Sequence, residues 1–173
     1  VVTGVQTCAL PIWRAIVDAV KQHNRVWQTG SWQRSQDHFR FACELVRNGR
    51  IGKVHTVKVG LPNTNGIHEG STAPADPPEG FDYDMWLGPA PYAPYCEARC
   101  HWNFRWISDY AGGQLTDWAG HHIDIAHWGM DTELSAPTEI EGSGDWQLAK
   151  DGLFDTVENY TFTCKYKAGF TMI

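Results

Sequence analysis

Apolar positions along the chain recur with two periods, and the switches between them outline the elements. Ile16, Val17 and Val20 recur at i, i+1 and i+4 among good helix formers, which predicts a helix over 13–23 ended by Asn24. Arg25 to Thr29 then reads as a short strand, and Gly30-Ser31 opens a loop carrying Trp32, Gln33 and Arg34. Ser35 is the expected N-cap of a second helix whose apolar face is Phe39, Ala42, Cys43 and Val46, closed by Asn48-Gly49. Alternation of Val54, Thr56, Val57 and Val59 predicts a strand within 53–61. From Pro62 to Gly80 the chain is rich in proline and glycine and has no period, so a long functional or wrapping loop is expected there.

Farther on, Asp82 to Pro91 predicts a helical turn broken by prolines and serving as a docking knob. His101 to Trp106 alternates polar and aromatic residues: a strand packed under a helix, or one face of a sugar-sized cleft. Gly112 to Gly129 runs about four helical turns without proline. Strands are predicted over 137–146 and 156–166, with another starting at 170–173. A helix followed at once by a strand and a polar loop is the form of the last unit of a parallel α/β sheet; everything after it predicts an α+β domain.

The 112–129 helix carries the candidate chemistry. At 100° per residue Asp117, His121 and Asp124 fall within about a 60° arc. Two carboxylates and an imidazole on one stripe are costly to bury, which places the stripe at a polar cleft. His122 points away. Three readings stay open: a structural histidine held by two carboxylates, a proton-transfer histidine tuned by them, or a metal site. The HExxH and CxxC signatures that would specify a metal are not in this sequence.

Composition narrows the partners. With 173 residues and a net charge of −6, the chain does not offer the clustered Lys and Arg that nucleic acid requires. Small polar or neutral ligands are the expectation. Five of the nine tryptophans fall between Trp86 and Trp128, as core filler or as flat faces for sugar rings. The five cysteines, Cys8, Cys43, Cys96, Cys100 and Cys164, lack paired spacing, which favours a reducing compartment and an expected cytoplasmic location. No apolar run approaches the roughly 20 residues of a membrane helix, and no membrane partner is expected. Val2 to Ile12 looks like the in-frame translation of a common sequencing adapter, so residues 1–12 are set apart from fold reasoning and the true N-terminus is expected to be missing.

Three segments together resemble one family. Glu44-Leu45-Val46-Arg47-Asn48-Gly49-Arg50-Ile51-Gly52-Lys53, Trp86-Leu87-Gly88-Pro89-Ala90-Pro91, and Tyr110-Ala111-Gly112-Gly113 leading to Asp117, His121 and Asp124 resemble the Gfo/Idh/MocA oxidoreductases, relatives of glucose-fructose oxidoreductase and inositol dehydrogenase. The resemblance spans Trp13 to Ile173, and its WLGPAP segment points to a bacterial subgroup. It implies an N-terminal Rossmann domain for NAD or NADP and a C-terminal domain built on an open, mainly antiparallel sheet with helices on one face. Residues 13–34 would be the end of the first and 35–173 most of the second.

The resemblance also implies roles. His121 would exchange the proton of a sugar, inositol or related polyol hydroxyl as hydride moves to or from nicotinamide, with Asp117 orienting the hydroxyl or the imidazole. Redox-assisted glycoside cleavage is a variation within the family. The alternatives outside it are a metal-dependent hydrolase or isomerase using Asp117, His121 and Asp124, or a non-catalytic carbohydrate-binding module. Asp124 would position the substrate, Arg105 would contact it or serve as a buried salt-bridge partner, and Gln33 and Arg34 would approach the cofactor or join the domains. No metal is implied. A homo-oligomer through the outer face of the sheet is expected. The GxGxxG fingerprint and the family's Glu-Lys-Pro segment lie outside this sequence, so the polypeptide by itself is expected neither to bind dinucleotide well nor to turn over.

Overall fold

A computed structural model describes residues 14–62, 69–145, 152–157 and 159–173. The adapter-like stretch 1–12 and Trp146 lie outside them. Two compact units divide at Trp32 and Gln33.

In the first unit helix α1 covers 14–22 and closes where Arg25 N–H bonds Val20 O at 3.0 Å, with Asn24 in the left-handed region at φ 49°. Residues 25–29, expected as a strand, join no ladder among the described residues. The physical reason is visible at Val26, 98% exposed: a parallel strand of this apolar kind persists where neighbours cover it, and none does among the described residues.

The second unit is built on a sheet of β1 (Thr56–Val57), β2 (Glu139–Asp145), β3 (Asn159–Lys165) and β4 (Thr171–Met172), in the order β1-β4-β3-β2. The β2-β3 and β3-β4 pairs are antiparallel, whereas β1 runs parallel to β4, making the sheet mixed. Hydrogen bonds from Thr171 to His55 O, Ile173 to Val57 O and Val59 to Ile173 O carry that pairing beyond the two ladder residues. Gly142 on β2 faces Phe162 on β3; a Cβ there would fall 2.6 Å from the Phe162 Cβ, so only glycine admits the ring.

Helices α2 (Asp37–Arg47) and α4 (Trp118–Gly129) cover this sheet in succession. Ile123 and Ala126 of α4 and Met130 at its C-cap close over Cys164, Tyr166, Phe170 and Met172, together with Val57 and Val59. Helix α2 lies against α4, and the Cys43 thiol donates to Ile125 O at 3.6 Å. Asn48 and Gly49 end α2 as expected, their N–H groups returning to Glu44 O and Val46 O. Its start differs: Ser35 belongs to a 3₁₀ turn (Trp32–Ser35), and Gln36 holds the N-cap position without a side-chain bond.

Between β1 and α4 the chain folds into short turns around aromatic residues. Helix α3 (Tyr83–Leu87) is capped by Asp82, whose carboxylate accepts from Met85 N–H at 3.0 Å, and stops at Gly88. It docks within its own chain, burying Tyr83 and Leu87 against Tyr95 and Cys100. The Tyr83 hydroxyl donates to Ala93 O, and burial pushes its pKa up to about 12.

His101–Trp106 is a 3₁₀ helix and not the alternating strand that its pattern suggested. With three residues per turn, Asn103 and Trp106 both face inward, while Trp102 and Arg105 share another side. Ser108 anchors the following turn through two bonds to the Asp155 carboxylate, at 2.7 and 2.5 Å.

Candidate active site

The expected 112–129 helix is broken at its chemically important end. Gly113–Leu115 forms a 3₁₀ turn, and α4 begins only at Trp118. Gly113 must be glycine: its φ is +65°, and a Cβ would meet Thr156 Oγ1 at 2.5 Å. Gln114 is buried and its amide donates to Pro62 O.

Asp117 therefore occupies the N-cap position of α4 instead of its body, yet its carboxylate accepts nothing from the helix. It pairs with Arg105 Nη1. The guanidinium is itself fixed: Nε donates to Trp102 O at 3.2 Å, and Cζ lies 3.6 Å from the Trp102 ring centroid and 4.7 Å from that of Trp106. Its Nη2 is buried with no hydrogen-bond partner among the described residues. Arg105 thus holds a candidate catalytic carboxylate in place.

His121 follows one turn into α4, half-buried, with the Trp118 indole edge-on at 6.3 Å. His122 turns elsewhere, as its spacing required, and Nδ1 donates to Gly60 O at 2.8 Å.

Asp124 is drawn away from the stripe. Arg34 donates to both its oxygens, Nε at 2.6 Å and Nη2 at 2.8 Å, reaches Glu133 at 3.3 Å, and lies 5.2 Å from the Trp128 ring. Hydrogen bonding to Asp124 raises the Arg34 pKa above its ordinary value against the opposing effect of burial, and Glu133 adds to it. Gln33 beside it is buried with Oε1 unpartnered.

The stripe is thus divided: Asp117 with Arg105, Asp124 with Arg34, and His121 between them. Each carboxylate already faces a cation, and no three His, Cys, Asp or Glu groups converge as a metal ion would require among the described residues. Composition gave Trp102, Trp106 and Glu133 no specific role, yet they complete these pairs. Trp102 and Arg105 are i, i+3 neighbours, a signal that reads as such only once the turn is known to be 3₁₀.

His127, on another side of α4, meets the Tyr166 hydroxyl on the sheet at 2.6 Å. Burial lowers its pKa, with Asp124 and Glu133 pulling the other way.

Comparison with known proteins agrees with this architecture. No curated protein sequence matches the chain. Residues 65–173 match the family described as "Oxidoreductase family, C-terminal alpha/beta domain", GFO_IDH_MocA_C2, and the chain belongs to that oxidoreductase family.

Proposed function

We propose that this chain is the substrate-binding part of an NAD- or NADP-dependent oxidoreductase acting on a sugar, an inositol or a related polyol. The observation that carries the reading is the fixing of Asp117 by Arg105 at the entrance to α4, one helical turn before His121. In alcohol oxidation, the His121 imidazole takes the hydroxyl proton while the C–H bond gives up its hydride. Asp117, held by Arg105, accepts a hydrogen bond from the hydroxyl or the imidazole and so orients the exchange. Bound nicotinamide would supply the hydride acceptor. The imidazole and paired carboxylate fit the hydroxyl-bearing end of such a reaction, and Arg34 is engaged by Asp124 and Glu133.

Two further expectations join this reading. A homo-oligomer through the sheet is supported by β2, whose Ile140 is exposed, and sedimentation at several concentrations tests it. A cytoplasmic setting is supported by the buried free thiols of Cys43, Cys96, Cys100 and Cys164. No helix of the described residues is long and apolar enough to cross a membrane.

The decisive experiment expresses the complete open reading frame, adds NAD or NADP, and follows reduced-nicotinamide absorbance across a panel of sugars and polyols. Substrate-dependent reduction that falls about 10²- to 10⁴-fold in His121→Ala is expected. No reduction with any polyol, or an unchanged rate in His121→Ala, overturns the assignment.

A further inference from the structure

Trp102 belongs to two places at once. One ring face supports the Arg105 guanidinium that holds Asp117, yet the residue remains 52% exposed. It also lines a separate cleft of about 350 Å³, with Glu69, Glu97, His101 and Asn103 around it and Gly70 in its wall. That volume lies at the small end of the range for small-molecule sites, about 300 to 1,000 Å³, suiting one ring and not an extended polymer.

The cleft is built, not incidental. Gly70 has φ +95°, and a Cβ there would press on Glu97 Cγ at 3.0 Å and Ala98 N at 3.1 Å, so the wall closes only around glycine. Asn103 is buried and fixed by its amide bond to Glu69 O at 2.6 Å. Glu97 receives Ser71 N–H on one oxygen at 3.3 Å. His101 adopts φ +52°, a left-handed conformation rare for a non-glycine residue, and its ring stacks with Phe81 at 6.4 Å.

A half-exposed indole, carboxylate acceptors and an imidazole are the groups that recognise a pyranose: apolar C–H faces stack on the ring, and hydroxyls donate to the carboxylates. A metal ion fits less well, since no cluster of three ligands forms among the described residues. We propose that this cleft is a saccharide subsite for a second ring of the substrate, whose first ring reacts at His121. The substrate class is then a glycoside or oligosaccharide, in preference to a free monosaccharide or inositol. This rests on the polyol-oxidoreductase reading for the chemistry at the first ring.

The test titrates the chain as it stands with disaccharides and with their component monosaccharides by isothermal calorimetry, which reads wild type and every variant alike. Disaccharides should bind at least about tenfold more tightly than their monosaccharides. Glu97→Gln and Trp102→Ala, with folding checked by circular dichroism, should erase that margin, whereas His121→Ala should keep it. Equal affinities, or a margin that survives both cleft variants, overturn the proposal. A disaccharide margin without nicotinamide-dependent turnover in the full reading frame would uphold the subsite and sink the dehydrogenase reading. Turnover with equal kcat/KM for one- and two-ring substrates would do the reverse.

Discussion

Arg34 grips both oxygens of Asp124, at 2.6 and 2.8 Å, and so fastens the start of the second unit to the middle of α4. Two parallel N–H bonds to one carboxylate are stronger and more directional than a single contact. Both side chains remain about one-third exposed, so solvent screens part of the attraction. Arg34→Met or Asp124→Asn should lower unfolding free energy by about 1 to 2 kcal/mol, with the double variant costing less than the sum. Urea denaturation of all four proteins measures this; additive losses would mean that the pair is not energetically coupled.

Arg105 and Asp117 form the second such pair, closer to the candidate chemistry and less exposed. Arg105→Met strands the carboxylate and should cost about 1 to 3 kcal/mol of stability. Arg105→Lys should recover part of that stability but less of the turnover, because an ammonium does not reproduce the stacked fork. The readout is kcat/KM beside thermal unfolding. Equal recovery of both would reduce Arg105 to a structural cation.

His127 adds a pH dependence of known sign. Burial holds its folded pKa below the ordinary 6.5, so the native state binds this proton less readily than the unfolded chain. Its contribution is full above pH 6.5 and is lost as pH falls through the depressed folded value. His127→Gln, which keeps a polar partner for Tyr166, should flatten the decline in stability between about pH 7 and pH 5. Parallel stability curves for wild type and variant would contradict it.

Two glycines near α4 should respond in opposite directions to the same substitution. Gly113→Ala forces a Cβ against Thr156 at a left-handed φ and should cost at least about 2 kcal/mol. Gly120 lies inside α4 with nothing within 4 Å of its virtual Cβ, and Gly120→Ala should gain about 0.5 to 1 kcal/mol. Thermal unfolding distinguishes them, and matching signs would refute the backbone argument.

What was legible in the sequence was local. Asn48-Gly49 ended α2, Asp82 and the prolines framed α3, and alternation located β2 to β4 because each signal is written within a few residues. His101–Trp106 misled because aromatic alternation suits a strand, while the inward turn of Asn103 and Trp106 depends on what packs beneath them. The Asp117, His121, Asp124 spacing described an uninterrupted helix, and Gly113 against Thr156 determines where it starts. Partners ninety positions apart, such as Arg34 and Asp124, leave no periodic trace.

The parallel pairing of β1 with β4 bears on how the chain reaches this structure. Thr56 meets Thr171, so this contact closes a loop of more than a hundred residues, whereas β2, β3 and β4 join through neighbours in sequence. Loop closure that long loses chain entropy before any hydrogen bond compensates it. The antiparallel meander can therefore assemble early, and the β1 strand, with α2 attached to it, is fitted to an edge that already exists.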